Sequence, residues 1–600
     1  MTCRQKTGSN GSPDSMSRRV FLQCVGGASV ALLGGAGPDS RAASTKRPNI
    51  LWMMTDEHRW DTIRAYGQYD WVRSPNLDAL AAEGVLFREA YCQAPLCVGS
   101  RVSMLTGRYP HHTGVYGFEY SHPDTAFSVP FFTELLHHSG YEVVNFGKEH
   151  HYRLVSKAQP YTLNGRWYNV LDAFPDKDFH SWGRANIQEA RPSELIKGAD
   201  REGELGILRR YLTEKKLIIG GTNPVAADQT LTAHLSNMAI RHMQSGASKN
   251  KPICLRVSYI YPHTPVLPPV PFNRTYDPTP IPLPQVAEAE LKSFGRQTKT
   301  AYENLRVYGM KEAEIRKMRA DYYGLASYVD SEIGRVIRAF KTFCGDRPWL
   351  IVFNPDHGCK LGEHGMHEKF TFYDESVHVP LIAASSDRRL PRGKVCDDFV
   401  ELVDLAPTFL GAAGVKLPRY LAGRDLADTA HGRTKPRTEA ISEKLTYGRR
   451  AMVRTKHWSF EMQVSPDPLT GRRLKNEEMD WAAKNPLADL DVSLFDRKND
   501  PAERHNLGTD PGHRKVCEEL RERLAARIFP PDRVDPVRNF TGPGCGPGRK
   551  EIRKGGEISN GVEHNWYKDI PPSPVRSCEP DDRTVQEQET SNGARPKAKS

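Results

Sequence analysis

Asn49-Ile50-Leu51-Trp52-Met53-Met54-Thr55, running straight into Asp56-Glu57-His58, is the stretch from which the fold of this 600-residue chain can be read. An uncharged apolar run of this length suits a central parallel strand buried on both faces, since such a strand has no solvent side to keep polar. Acids at its C-terminal end lie where open α/β sheets bind ligands. Three further apolar runs end in the same way. Tyr141 to Phe146 delivers Gly147-Lys148-Glu149-His150, Ile253 to Tyr259 delivers Tyr261-Pro262-His263, and Trp349 to Phe353 delivers Asn354-Pro355-Asp356-His357-Gly358. Helical spacing separates them. Ser74 and Pro75 open a helix that ends near Gly84, Thr133 to Ser139 and Thr230 to Met243 read as helices, and Ile315, Met318, Tyr322, Leu325, Val329, Ile333, Val336 and Phe340 step by three or four along one long amphipathic helix. With a strand over Val379 to Ala384 and a helix over Leu402 to Ala413, the alternation predicts an α/β fold: a mostly parallel, doubly wound central sheet flanked by helices.

Beyond residue 425 the pattern changes. Glu439 to Lys444, Arg450 to Val464 and Ser493 to Asp496 read as short antiparallel strands closed by a helix over Val516 to Ile528. The expected organisation is a leader over 1–45, an α/β catalytic domain over 46–425, a smaller C-terminal antiparallel sheet plus helix over 426–530, and an irregular or disordered tail over 531–600, rich in Pro, Gly and charge. Residues 153–225, polar and irregular, read as long loops over one face, where specificity would be written.

The leader carries Ser17-Arg18-Arg19-Val20-Phe21-Leu22, an apolar glycine-rich stretch from Val25 to Gly37 and a small-residue end at Ala42-Ala43. That is the twin-arginine pattern, so the twin-arginine translocase is an expected partner and a bacterial periplasmic or secreted location follows. No apolar run reaches transmembrane length in the mature chain. The net charge of +11 is spread without the basic blocks of a nucleic-acid binder and suits a groove for small anionic substrates. Eleven cysteines, two of them in or before the leader, leave an odd nine, so at least one thiol stays unpaired, and the spacing fits neither a zinc site nor a disulfide scaffold.

One of those thiols opens a helix. Cys97-Val98-Gly99-Ser100-Arg101, continued by Val102 to Thr106 and stopped by Gly107, places a nucleophile at the positive end of a helix dipole with an arginine one turn above it. Together the strand ends supply Asp56, Glu57, Lys148, His150, His263, Asp356 and His357, to which Cys97, Arg101 and Lys369 are added. Converging carboxylates would repel one another unless a cation sits among them, and oxygen-rich ligands favour a hard ion, Ca2+ or Mg2+. Lysines, an arginine and histidines would then surround a tetrahedral oxyanion. A metal, a cationic cradle and a strong nucleophile suit sulfuryl or phosphoryl transfer.

Cys97-x-x-Ser100-Arg101 with Leu105-Thr106-Gly107-Arg108, Gly147-Lys148-x-His150, Asp356-His357-Gly358 with Gly362-Glu363-His364-Gly365 and Lys369, Asp404-Leu405-x-Pro407-Thr408, and the later Leu494-Phe495-Asp496 resemble the motifs of the type I, formylglycine-dependent sulfatases of the alkaline phosphatase superfamily. The resemblance runs from about residue 47 to 530. It implies sulfate-ester hydrolysis, with a formylglycine-generating enzyme converting Cys97 to formylglycine (3-oxoalanine), whose hydrate attacks sulfur. It further implies that Asp56, Glu57, Asp356 and His357 hold calcium together with residue 97. Arg101 would hold the hydrate, Lys148 and Lys369 the sulfate oxygens, His150 would act as base and His263 as donor to the leaving group. Three positions depart from the family: Gly99 stands where relatives carry Pro or Ala, Glu57 where they carry Asp or Gln, and Cys359 where they commonly carry Asp. A sulfated carbohydrate is the expected substrate. A phosphonate or phosphate ester hydrolase with the same metal and nucleophile is the alternative enzyme, and a non-catalytic sulfoglycan-binding protein the alternative if Cys97 stays unmodified.

Overall fold

The computed structural model describes residues 46–116, 129–148, 203–212, 215–223, 225–246, 250–307, 309–446, 449–464 and 481–529. The leader, the tail and most of the segment read as specificity loops lie outside them. In chain order the elements that build the site are β1 Asn49–Thr55, α1 Pro75–Glu83, β2 Val85–Phe87, α2 Cys97–Thr106, α3 Phe132–His138, β3 Glu142–Gly147, α4 Leu231–Gln244, β4 Ile253–Ser258, α5 Glu312–Cys344, β5 Trp349–Pro355, β6 Leu381–Ser385, β7 Lys394–Cys396 and α6 Leu405–Ala412.

The strands form one seven-stranded sheet in the order β7-β2-β6-β5-β1-β4-β3. β1 lies parallel to both β4 and β5, and β3 parallel to β4. β6 runs antiparallel to β5 and to β2. The sheet is therefore mixed but mostly parallel, as the alternation predicts. β6 is the strand expected over Val379 to Ala384, but its reversed direction is not announced by the sequence pattern, and neither are β2 and β7, since three-residue strands carry too little periodicity to register. A hairpin, Leu208–Leu212 against Lys215–Gly220, lies within the stretch read as loops.

The side chains of β1 alternate between two cores. Ile50, Trp52 and Met54 pack with Met104 and Leu105 of α2, Phe132 of α3 and Phe409 of α6 on one face. Leu51 and Met53 pack on the other with Leu235 of α4 and Tyr322, Leu325, Val329 and Ile333 of α5. Burial on both faces is why β1 carries no charged residue, the first charge being Asp56 just past its end.

The register decides where chemistry can occur. Thr55 sits opposite Pro355, Met54 opposite Ser258, and Ser258 opposite Gly147. The next residues, Asp56, Asp356 and Lys148, consequently leave the sheet along one edge. Gly147 makes that exit feasible: its φ is +102°, and a Cβ there would meet the Ser258 carbonyl oxygen at 2.0 Å.

A second, four-stranded antiparallel sheet follows, β8 Glu439–Lys444, β9 Arg450–Thr455, β10 Trp458–Gln463 and β11 Ser493–Asp496, in sequential order. It packs on α7 Arg514–Ile528 through Val453, Phe460, Cys517, Leu520 and Leu524. Arg454 of β9 crosses to the α/β part, where it donates to Asp374 and to the Phe372 carbonyl at 3.1 Å, while bonding Glu503 at 2.6 Å. Cys92, Cys97, Cys254, Cys344, Cys359, Cys396 and Cys517 are buried free thiols.

Candidate active site

All ten residues of α2 are buried, and Cys97 is its first. Three groups face its sulfur. His357 Nε2 lies 3.3 Å from Cys97 Sγ, Lys148 Nζ 3.7 Å and Asp56 Oδ1 3.8 Å. Arg101, one turn along, donates from Nε to Asp356 Oδ2 at 2.8 Å and from Nη1 to the Lys148 carbonyl at 2.9 Å and Ser258 Oγ at 3.0 Å, with Nη2 3.4 Å from Asp56 Oδ2. Lys148 forms an ion pair with Asp56. Ser100, the other fixed residue of the Cys-x-x-Ser-Arg motif, donates its hydroxyl to the Asp356 carbonyl at 2.6 Å.

Asp56, Cys97, Asp356 and His357 form a group whose ligand atoms lie within 4.8 Å of one another. His357 Nδ1 is bonded to the Gly358 carbonyl at 2.9 Å, which leaves Nε2 directed at Asp56, Asp356 and Cys97. The two fully buried carboxylates are oxygen donors that fit a hard divalent cation, with the His357 imidazole nitrogen beside them.

Glu57 belongs to a different part of the site. Its backbone takes φ +59°, and its carbonyl accepts from Tyr322 of α5. Its carboxylate pairs with Lys369, and Oε1 lies 3.3 Å from His263 Nε2. Oε2 accepts from the Thr264 amide at 3.2 Å and hydroxyl at 3.3 Å. Lys369 Nζ lies 3.0 Å from His263 Nε2. Glu57 thus groups with Asp56 and His263 and stands apart from the cluster around Cys97. His150 lies outside the described residues.

The family model for sulfatases matches residues 48–415 of this chain. The chain belongs to the sulfatase family. As a sulfatase it is a sulfuric ester hydrolase. Over 440 residues it is 30% identical to the iduronate 2-sulfatase of Mus musculus, a match covering 66% of this chain and 74% of that relative. Over 563 residues it is 25% identical to an N-acetylglucosamine-6-O-sulfatase of Bacteroides thetaiotaomicron, covering 83% and 88%. A crystal structure of the phosphonate monoester hydrolase of Agrobacterium radiobacter superposes with a TM-score of 0.62 over 80% of this chain and 96% of that one at 22% identity, a likeness of fold alone.

The charges of the sulfatase site hold one another in place. Burial and Asp56 push the Cys97 thiol upward, but Lys148, Lys369 and His357 outweigh them and lower it from its ordinary value. Burial opposes charge on His357, yet Asp356 and Cys97 raise it to about 9. Against the same burial penalty, Lys148 and its neighbours hold Asp56 well below the usual carboxylate range, and His263 and Lys369 bring Glu57 to about 2. An anion at position 97 is stabilised from several sides.

Sequence reasoning missed Ser258, Thr264 and Tyr322, which orient Arg101 and Glu57. Ser258 was legible in principle as the polar end of a buried strand. The hydroxyls of Thr264 and Tyr322 carried no signal that separated them from loop and core residues.

The Gly362-Glu363-His364-Gly365 motif is structural. Glu363 bonds Arg319 at 2.6 Å and pairs with Arg59 at 3.2 Å. His364 contacts Glu290 at 2.6 Å and Glu375 at 3.5 Å, with its ring 3.5 Å from that of Tyr373. Although burial opposes its charge, the two glutamates raise His364 from 6.5 to about 9. A raised value in the folded state means that the stabilisation is complete below about 6.5 and is lost as pH climbs through about 9. In thermal melts from pH 6 to 10, wild type should therefore lose its advantage over His364→Gln across that window, an advantage on the order of 3 kcal/mol at its largest. An advantage that does not change with pH would show that the imidazole is not held charged.

Proposed function

We propose that the enzyme hydrolyses a sulfate ester of a carbohydrate, using Cys97 in its formylglycine form and a divalent cation, with calcium as the leading choice. The observation that supports this reading is the placement of Cys97 Sγ at a buried helix start, between His357 at 3.3 Å and Lys148 at 3.7 Å. Asp56, Asp356 and His357 would hold the cation beside residue 97, where it would supply charge neutralisation of the sulfate oxygens. Formylglycine would supply, as its hydrate, an oxygen nucleophile for sulfur and a route to release sulfate afterwards.

The chain's own residues divide the remaining work. Arg101, fixed by Asp356 and Ser258, holds the group at position 97 in one orientation. Lys148 and Lys369 carry positive charge toward the sulfate oxygens, where charge develops in the transition state. His263, held on Nδ1 by the Thr264 carbonyl and beside Lys369 on Nε2, is the proposed proton donor to the leaving-group oxygen. His150 is the proposed base. Glu57 acts on this side of the site, setting Lys369 and His263.

The carbohydrate assignment draws on relatives named for iduronate 2-sulfate and N-acetylglucosamine 6-sulfate chemistry. Twin-arginine export to the periplasm or beyond belongs to the same proposal. A formylglycine-generating enzyme would act on Cys97 before folding closes α2, since the mature residue is 1% exposed. Gly99 fits tightly there: a Cβ would lie 2.9 Å from Ala94 Cβ and 3.3 Å from the Tyr116 carbonyl group. The glycine thus has a packing reason in this chain, whatever the modifying enzyme reads.

Mass spectrometry of the tryptic peptide spanning residues 89–101, after co-expression with a formylglycine-generating enzyme, tests the nucleophile. The expected result is conversion of Cys97 to the aldehyde, and an intact thiol in an active enzyme would overturn this reading. Sulfated monosaccharides and a phosphonate monoester assayed side by side test the substrate, with preferential phosphonate turnover as the contrary outcome.

A further inference from the structure

The segment that carries Lys369 is bent sharply. Glu368 and Phe370, on either side of it, take φ +69° and +77°, a region that side-chain-bearing residues rarely occupy. Something must hold this backbone, and two lysines that no catalytic role uses lie against it.

Lys360 is fully buried and pairs across a two-stranded ladder with Glu368. Its ammonium donates to the Lys369 carbonyl at 3.1 Å, to Thr371 Oγ1 at 2.8 Å and to Ser376 Oγ at 3.2 Å. Lys444, the last residue of β8, reaches in from the C-terminal sheet. Its ammonium donates to the Phe370 carbonyl at 2.9 Å and the Thr446 carbonyl at 3.4 Å, and it lies 5.5 Å from the centre of the Phe372 ring. The Phe370 amide in turn donates to the Pro95 carbonyl at 3.2 Å, two residues before Cys97.

Both ammonium groups spend their protons on neutral oxygens. Holding a charge in the interior without a bonded carboxylate is costly, and burial pulls Lys360 down to about 8 and Lys444 to about 7. A methionine would fill the same volume with no such penalty. What an ammonium adds at each site is a strong, directed donor to a main-chain carbonyl.

We propose that Lys360 and Lys444 are positioning residues for Lys369, clamping the carbonyls of residues 369 and 370 so that the left-handed turn aims the Lys369 ammonium at the substrate's sulfate oxygens. The inference rests on the reading of Lys369 as a substrate contact. It makes the C-terminal sheet part of the catalytic apparatus through one side chain, because Lys444 is anchored there and acts on the α/β part.

A double-mutant cycle on the full-length enzyme tests it, with Lys360→Met, Lys444→Met, Lys369→Ala and each pair containing Lys369→Ala. Turnover of one sulfated monosaccharide and competitive inhibition by inorganic sulfate are measured. Each lysine-to-methionine change should lower kcat/KM about 10- to 100-fold and weaken sulfate inhibition, as loss of orienting contacts does around other charged sites. In the Lys369→Ala background the same changes should cost less than about threefold, since the group they position is already gone. Losses that multiply fully in the double variants would mean general damage to the fold and would overturn the proposal. So would wild-type turnover by both methionine variants beside a crippled Lys369→Ala. If Lys369→Ala itself keeps wild-type turnover, the substrate role of Lys369 falls, and the anchoring with it. Should Lys360→Met not fold, Lys360→Gln retains a donor of similar reach, and the Lys444 arm of the cycle decides independently.

Discussion

Replacing Cys97 by alanine is expected to reduce sulfate-ester turnover by at least about 10⁴-fold while leaving the enzyme folded. The sulfur is small, fully enclosed and hydrogen-bonded only through contacts of 3.3 to 3.8 Å, so its removal opens little space and strands no strong donor. The chemistry has no such reserve. Among the described residues that face position 97, Lys148 and His357 are each committed to a buried carboxylate neighbour, and Ser100 spends its hydroxyl on the Asp356 carbonyl. Kinetics of the purified variant, with its melting temperature measured alongside, give the check. A variant that keeps more than about 1% of wild-type kcat/KM would place the nucleophile elsewhere.

Asp356→Asn is expected to have the second largest effect, and to act on three things together. The substitution preserves shape but removes the charge that fixes Arg101 at 2.8 Å and that raises His357. It also removes an anionic donor from the proposed cation site. Leaving the buried Arg101 guanidinium with only Asp56 at 3.4 Å as its carboxylate partner should cost on the order of 3 kcal/mol of stability. Metal content by mass spectrometry should fall below that of wild type, and turnover should fall by about 10³-fold. A variant with full calcium content and wild-type kcat would rule out both the ligand role and the orienting role.

The central sheet was legible because its strands are buried on both faces, and burial forbids the polar residues that would blur an apolar run. For the same reason the charged residues at the strand ends stood out, and Asp56, Lys148, His263 and Asp356 could be collected before any contact was known. What the sequence hid were charges with structural work in the interior. Lys360, Lys444 and Arg454 look like solvated surface residues in a one-dimensional string, since most of their carbonyl and carboxylate partners lie far along the chain. Glu57 shows the subtler limit. The residue type was visible, but the direction of its carboxylate, toward Lys369 and His263, goes with a left-handed backbone that no neighbouring residue type announces.

The seven buried free thiols carry a consequence for where this enzyme can be assembled. Among the described residues no sulfur is bridged to another, and every one of these cysteines is shielded by core packing or by the charged cluster around Cys97. The described fold therefore needs no oxidant to reach completion and no shuffling of cross-links to reach one arrangement. The described part can close in a reducing compartment, and none of its seven thiols would then be accessible to an oxidant.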